Sequence, residues 1–499
     1  MKASANSLGR LLEVLPDART SGEVGIEIRN IACDSRSVGP GSLFVAIRGG
    51  EERDRHEFVE DAVARGAAAV IVEKPADRTG SATVVEVGDS RQALARIAAR
   101  FYGEPSRQLC TVGVTGTNGK TTTAMLIRAI LDRSGRSCGY LGTLGSLTSD
   151  TMKPLANTTP EASELHRELR VMVDAGRAAV ALEVSSHALA LGRVDGIRFD
   201  AAVFTNLTRD HLDFHGSEEA YFEAKKKLFD LIEPYPPPRA AVNLDDPWGQ
   251  RLSRCLNGSA LTFGSAKDAD VRLMSAAGRR GRTSLSLLTP HGKIELETRL
   301  TGSFNCSNAM AAVACALALG VDADTIAAAL AGFEGVPGRF ERIDEGQPFE
   351  VIVDFAHTPA GLETVLNTAR ELATGRLICL FGCGGDRDQG KRPQMGKIAG
   401  ELADEVFLTS DNPRSEPPGR IIGDIAAGMS SPQKAHLLPD RKEAIGLALR
   451  AAGGGDVVVL AGKGSETRQV FADHAIDFDD RHVAREWLRG SGASEIGEG

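Results

Sequence analysis

No apolar run in the sequence is long enough to cross a bilayer. The longest near-apolar stretch, Ala309 to Val321, is rich in alanine and falls short of the ~20 residues a spanning helix needs. A secretory signal is missing too, since the opening MKASANSLGR carries one lysine and no hydrophobic segment behind it. These absences predict a cytoplasmic protein with no membrane partner. The eight cysteines, at 33, 110, 138, 255, 306, 315, 379 and 383, include no CxxC pair, which excludes a disulfide framework or a zinc knuckle and predicts reduced, mostly buried thiols. Positive charge is in deficit: 58 Lys and Arg against 67 Asp and Glu leave a formal charge of −9, which argues against a nucleic-acid partner. There is no repeat of solenoid period.

What is present is material for several cores. Of 499 residues, 42% are hydrophobic and 25% charged, and at ~150 residues per domain that predicts about three domains. Short apolar runs alternate with helical patterns through SLFVAIRG (42–49), EFVEDAVARGA (57–67), AAVIVE (68–73), TVVEVGD (83–89) and SRQALARIAARFYG (90–103). A break falls at Gly103-Glu104-Pro105-Ser106, where a glycine closes a helix and a proline forbids its continuation. The rhythm restarts with LCTVGV (109–114), AAVALEV (178–184) and DAAVFTN (200–206), apolar strands with helical crossovers that imply a parallel sheet covered on both faces. PYPPPRA near 234 reads as a stiff connector, and DVRLMSA, TSLSLLT and KIELETRL (270–300) as antiparallel strands, ahead of two alanine-rich helical stretches from Asn305 to Phe333, together a small appendage on the same central domain. After a second break at Gly335-Val336-Pro337-Gly338, strands and helices alternate again from FEVIVDF (349–355) to DVVVLAG (456–462). The expected domains are 1–105, 106–336 and 337–499. The tail GSGASEIGEG has nothing to pack and is expected to fray.

The strongest local signal is Thr115-Gly116-Thr117-Asn118-Gly119-Lys120-Thr121-Thr122, between a strand and the amphipathic AMLIRAILDRSG. Glycines let backbone N–H groups approach phosphate oxygens, a helix N-terminus adds partial positive charge, Lys120 can reach the β/γ-phosphates and the Thr121 hydroxyl can ligate magnesium. Val114 stands where the strict GxxxxGK[ST] pattern wants its first glycine, so the loop is shorter than usual. An ordinary glycine turn with an exposed lysine would require both glycines, the lysine and two threonines to coincide.

In an open α/β sheet ligands sit beyond the carboxyl ends of the strands. There the sequence places Glu183-Val184-Ser185-Ser186-His187 and Leu207-Thr208-Arg209-Asp210-His211. Glu183, His211 and the loop threonine could converge on magnesium beside a γ-phosphate. Alone, each is as readily a helix cap or a loop hydrogen-bond partner. Lys225, Lys226 and Lys227 read on residue physics as a solvated basic face.

The ordered segments GTNGKTTT, NTTPE, LEVSSHAL, FTNLTRDHLDFHG, AKKKLF, GSFNCSNAMAA, GVPGRFERI, VDFAHTPAGL, FGCGGDRDQGKRPQMG, DNPRSEPP and AGKGSE span residues 113–466. Together they resemble the Mur ligases of peptidoglycan synthesis, and within them the branch that adds the third residue of the stem peptide. CDSRSVGPGSLFVAIRG resembles that branch's UDP-binding region. The resemblance implies a three-domain α/β architecture with a central phosphate-loop ATPase sheet and a Rossmann-like carboxyl domain, acting as a monomer. It implies ATP-dependent amide formation through an acyl phosphate on UDP-MurNAc-L-Ala-D-Glu, with ATP and Mg2+ required. Carried over, Gly116, Thr117, Asn118, Gly119, Lys120, Thr121 and Thr122 would hold the triphosphate, Asn308 the adenine, and Arg339 and Asp354 would close onto the nucleotide. Thr121, Glu183 and His211 would serve magnesium. Lys225 would be carbamoylated to support a second magnesium, which replaces the solvated reading. Ser35, Asn157, Thr158, Thr159, Ser185 and Arg193 would bind the UDP substrate.

For the amine donor, Arg387 and the run Asp411-Asn412-Pro413-Arg414 match the form that accompanies meso-diaminopimelate. A fixed guanidinium can hold that molecule's far carboxylate through two parallel hydrogen bonds and would repel the lone ammonium of lysine. An isolated NPR would read as a turn with a surface arginine. Gly462 and Glu466 complete the expected pocket, Glu466 taking the distal ammonium. Leu191 and Ser465 depart from residues common at their positions, a matter of contacts rather than chemistry. Rival readings are another ligase of this architecture, such as folylpolyglutamate synthetase; a nucleotide switch or motor; and a dinucleotide dehydrogenase. The DSR and DNPR segments oppose the first, and Arg387 in the place of a third glycine opposes the last.

Overall fold

Sheets of five, ten and six strands, with a separate two-stranded ribbon, organise the chain. The computed structural model describes residues 6–48, 54–74, 80–149, 151–232, 239–279 and 282–494. The first sheet runs Arg19–Ser21, Thr83–Glu86, Ala67–Val72, Ser42–Val45, Asn30–Ala32, with only the first pair antiparallel. Its helix Ser90–Phe101 is started by Asp89, whose carboxylate accepts from the Arg91 and Gln92 amides.

The middle sheet is built on six parallel strands in the order Ala260–Gly264, Ala240–Asn243, Ala201–Phe204, Cys110–Thr115, Ala179–Glu183, Cys138–Gly142. These strands are apolar throughout because helices cover both faces. Val112 and Val114 face Leu126, Ile127 and Ile130 of the helix Lys120–Arg133. Gly113 faces the other way, where a Cβ would lie 2.8 Å from the Phe199 ring. The helix Ser303–Ala318 is buried along nearly its whole length and packs on Lys120–Arg133. Its alanines bring the two helices close without a gap.

Of the antiparallel strands Val271–Arg279, Arg282–Thr289 and Gly292–Thr298, the last two alternate buried and exposed residues for most of their length, while the first is exposed from Met274 to Gly278. They are not an appendage, however. Phe263 pairs with Val271 in parallel, so the meander extends the central sheet. The proline-rich segment 233–238 lies outside the described residues, as does the tail from 495. Residues 490–494, expected to fray, instead prolong the last helix, Asp480–Ser494.

The third sheet orders Glu341–Ile343, Glu350–Asp354, Val457–Ala461, Leu377–Phe381, Glu405–Leu408 and Ala435–Leu437, parallel except for its first pair. Two arginines are wholly buried beneath its loops. Arg441 donates to both Asp480 carboxylate oxygens (2.8 and 2.6 Å) and to the carbonyls of Ser410 (3.3 Å) and Ala461 (2.9 Å). Arg392 is held by Glu416 (2.7 Å) and Asp424 (2.9 Å). Such pairs add little net stability, but removing one partner leaves an uncompensated buried charge. Their effect here is to fix the ends of the strands that carry the loops at residues 384–387, 411–414 and 462–466.

Candidate active site

The strand Cys110–Thr115 lies between Ala201–Phe204 and Ala179–Glu183, where crossovers leave in opposite directions. The loop that follows it needs its glycines. Gly116 has φ +147° and a Cβ there would fall 1.9 Å from Thr205 Oγ1; Gly119 has φ +84° and would meet Asn308 Oδ1 at 2.3 Å. Thr205 and Asn206 brace the loop: Thr205 Oγ1 donates to Asn118 O (2.6 Å), and the Asn118 amide donates to Asn206 Oδ1 (2.9 Å). Gly119 starts the helix Lys120–Arg133 without a side-chain cap, which leaves first-turn amides of the kind that can seat an anion. Lys120 Nζ folds back onto the carbonyls of Gly116 (3.0 Å) and Thr117 (2.9 Å), and burial lowers its pKa.

Glu183 is wholly buried at the next strand end. Its Oε2 accepts from Thr121 Oγ1 (3.0 Å) and Thr143 Oγ1 (3.1 Å), its Oε1 from the Thr143 amide (3.0 Å) and the Tyr140 hydroxyl. Tyr140 and Thr143, on the hairpin Cys138–Gly142/Gly145–Leu147, were not foreseen from sequence. Thr121 Oγ and the Glu183 carboxylate are hard oxygen donors of the kind magnesium takes alongside phosphate and water. Arg339 crosses from the third domain's entry to donate to Thr121 Oγ1 (3.2 Å), its guanidinium 4.2 Å from the Phe355 ring centre. Asp354 lines the same cleft, but its two oxygens accept from the amides of Phe340 and Ala356 (both 2.7 Å), so it fixes the hinge as it stands.

Lys225 is 1% exposed. Its ammonium donates to Gly116 O (2.8 Å), the acceptor Lys120 also uses, and sits 4.4 Å over the Tyr221 ring. Burial, reinforced by the Lys120 charge, drives its pKa well below the ordinary lysine value. It does not line the cleft but lies behind the phosphate loop. His211, with φ +53°, lies 3.3 Å from Asp210, and its ring packs 4.7 Å edge-on to His187. Burial and the neighbouring His211 hold His187 at about 4, so it is neutral at physiological pH.

One cleft of about 1620 Å³ gathers residues of all three domains. Of the sequence-predicted residues it brings together Ser35, Thr117 to Thr122, Asn157, Thr158, Thr159, Glu183, Ser185, Arg193, His211, Asn308, Arg339, Asp354 and Arg387. Gly116, Lys225, Asp411, Asn412, Pro413, Arg414, Gly462 and Glu466 are not on its wall. Thr159 ties the strand end, donating to Glu183 O (2.8 Å) and accepting from the Ser185 amide (3.0 Å). Arg193 pairs with Glu161 (3.1 Å). In the third domain Arg414 Nη1 donates to Gly385 O (2.9 Å), and Asn412 Nδ2 to Glu466 Oε2 (2.8 Å). Of the six non-glycine residues with positive φ among those described, His211, Phe340, Asp386 and Arg414 all stand in these loops, where backbone strain tends to collect.

A parallel middle sheet with a glycine loop at its strand end, flanked by two α/β domains that both reach its cleft, defines a three-domain α/β architecture. Family descriptions match it in order: "Mur ligase family, catalytic domain" over residues 27–102, "Mur ligase middle domain" over 114–316 and "Mur ligase, glutamate ligase domain" over 338–464. The chain belongs to the Mur ligase family. It is 48% identical over 464 residues to the UDP-N-acetylmuramoyl-L-alanyl-D-glutamate–2,6-diaminopimelate ligase of Geobacillus kaustophilus (strain HTA426), covering 92% of this chain and 94% of that protein. It is 44% identical over 485 residues to the protein of the same name in Syntrophomonas wolfei subsp. wolfei (strain DSM 2245B / Goettingen), covering 97% and 99%. A solved structure of a ligase of that name superposes with a TM-score of 0.67 at 32% identity, covering 97% of this chain and 99% of the other.

Proposed function

We propose that the chain joins meso-2,6-diaminopimelate to UDP-MurNAc-L-Ala-D-Glu at the cost of ATP, a cytoplasmic step in peptidoglycan precursor synthesis. The observation that carries this reading is the single cleft in which the phosphate loop, Ser35 of the first domain and Arg339 and Arg387 of the third face one another. Similarity to relatives bearing that activity in their names supports it. The reading takes 1–105, 106–336 and 337–499 as the domains.

A carboxylate is a poor acyl donor until one oxygen becomes a good leaving group. An oxygen of the D-glutamate γ-carboxylate bonds to the γ-phosphorus as ADP departs; the diaminopimelate nitrogen then attacks the acyl carbon, loses a proton and expels inorganic phosphate. The chain contributes position and charge. Amides of Gly116, Thr117, Asn118, Gly119, Lys120, Thr121 and Thr122 seat the triphosphate, with Lys120 swinging from its loop carbonyls to the phosphates, Asn308 facing adenine, and Arg339 and Asp354 closing the nucleotide side. Ser35, Asn157, Thr158, Thr159, Ser185 and Arg193 hold the UDP-dipeptide. Arg387, Asp411, Asn412, Pro413, Arg414, Gly462 and Glu466 receive the amine donor, which requires the third domain to bring their loops to the cleft.

Thr121 and Glu183 would hold one magnesium ion, and His211 with Lys225 a second. Bound there, magnesium neutralises phosphate charge. Lys225 fits this because burial lowers its pKa and so favours the free amine, which adds to carbon dioxide with loss of a proton and so supplies a carboxylate. The test is phosphate release from ATP by the purified protein with UDP-MurNAc-dipeptide and either meso-diaminopimelate or lysine. Release that needs the dipeptide and diaminopimelate is expected; release with neither present would point to a nucleotide switch instead.

A further inference from the structure

Beside the amine-donor loops stands a charge that the site as assigned does not use. Lys463 is wholly buried. Its ammonium donates to Glu466 Oε2 (3.0 Å), to Arg468 O (2.6 Å) and, at the limit of a hydrogen bond, to Asn412 Oδ1 (3.4 Å). Glu466 Oε2 also accepts from Asn412 Nδ2 (2.8 Å), so both donors converge on one oxygen. Among the described residues no donor is recorded on Oε1, and the Glu466 side chain is 38% exposed. Arg414 is fixed to the same ribbon, its amide donating to Val470 O (3.0 Å) while the Val470 amide donates to Asn412 Oδ1 (3.0 Å).

The neighbouring charges can be counted by name. Arg441 is neutralised by Asp480, and Arg392 by Glu416 and Asp424. Asp386 is engaged by Ser415. Asp411 is buried beside Gly462. Arg387 and the Arg468 side chain face solvent. Glu466 is therefore a half-buried anion among these loops with one oxygen left outward, and it is already half-answered by an internal cation.

We propose that Lys463 is a positioning residue that sets amine-donor specificity by neutralising Glu466 from behind. A far end carrying a carboxylate and an ammonium together is matched: its carboxylate meets Arg414, and its ammonium needs only the outward oxygen of a carboxylate whose charge is largely spent. A far end carrying an ammonium alone gains little from Glu466, whose charge Lys463 already answers, and brings no carboxylate to offset the Arg414 guanidinium. Discrimination against lysine is thus built twice, by the guanidinium and by the buried ammonium. This rests on the proposed function, and deepens it.

The test compares kcat/KM for meso-diaminopimelate and for L-lysine in wild type, Lys463→Met and Glu466→Gln, with ATP and UDP-MurNAc-dipeptide saturating. Methionine keeps the length of the chain and removes its charge. Lys463→Met is expected to lower the diaminopimelate-to-lysine ratio at least about tenfold, the scale of one charge interaction at a partly buried site, chiefly by lowering KM for lysine, with KM for ATP unmoved. Glu466→Gln is expected to move the ratio the other way, because it leaves Lys463 unanswered, and it decides the matter if the first variant does not fold. A parallel fall for both amines with an unchanged ratio in either folded variant would overturn the proposal and make Lys463 scaffold. A wild type that shows no diaminopimelate-dependent turnover would sink the functional reading itself, a separate failure visible before any variant is made.

Discussion

At the scale of single residues, Lys225 and His166 show how differently two buried bases behave. Lys225 sits under the phosphate loop against a carbonyl and a ring, with no carboxylate in salt-bridge contact among the described residues. Lys225→Ala is expected to cut turnover by ~100-fold or more, the usual cost of losing a charge-stabilising group. Added formate or acetate should restore part of it, while circular dichroism stays unchanged; normal turnover in the variant would refute the carbamate. His166 is fully enclosed in the helix Ala162–Asp174, and burial, only partly offset by the Asp195 backbone, drops it to about 4. Below about pH 6.5 the unfolded chain takes up the proton and the folded one does not, so stability falls on acidification until the pH reaches about 4. His166→Leu should remove about 2 kcal/mol of the loss between pH 7.5 and 5, read by urea unfolding at the two pH values. The sequence reading made Gly116, Lys120 and Glu183 legible because their chemistry is tied to a strand end. It gave no warning of His166 or of Arg441 and Arg392, since a residue's burial depends on neighbours far along the chain.

Among elements, the hairpin Cys138–Gly142/Gly145–Leu147 matters most to the chemistry. It presents Tyr140 and Thr143 to Glu183, and a Cβ on Gly142 would lie 2.3 Å from Glu183 Oε1. Gly142→Ala should therefore displace the carboxylate and raise KM for magnesium-ATP at least about tenfold, with binding of the UDP-dipeptide measured by calorimetry left intact. The alternation of apolar strands with helices was readable, because strands covered on both faces are apolar throughout. The strands Arg282–Thr289 and Gly292–Thr298 of the meander were readable by their period of two. The hairpin was not: Cys138–Gly142 is buried at every position, with no alternation and two glycines, and nothing local distinguishes it from a loop. The union of the meander with the central sheet was equally hidden, since it depends on the pairing of Phe263 with Val271 and not on either strand's own pattern.

For the molecule as a whole, the hinge between the second and third domains packs by direct backbone contact. A Cβ on Gly338 would meet Ser465 N at 2.1 Å, and one on Gly464 would meet Gly338 O at 2.6 Å. Gly338→Ala, strained also by its φ of +65°, should push the third domain outward. The expected signs are a larger radius of gyration in solution scattering and a fall in kcat with ATP affinity retained. Domain order was legible from the chain of motifs alone. The contact between Gly338 and the 462–466 loop was not, because it joins segments more than a hundred residues apart.

The crowding of Lys120 and Lys225 onto the single carbonyl of Gly116, with Arg339 close by at Thr121, has a practical side for anyone handling the protein. A cleft that offers Lys120, Arg339 and helix-end amides takes small tetrahedral oxyanions as well as nucleotide phosphates. Storage in ammonium sulfate or assay in concentrated phosphate should therefore mimic an inhibitor that yields to added nucleotide, and zwitterionic buffers should give the truer rate.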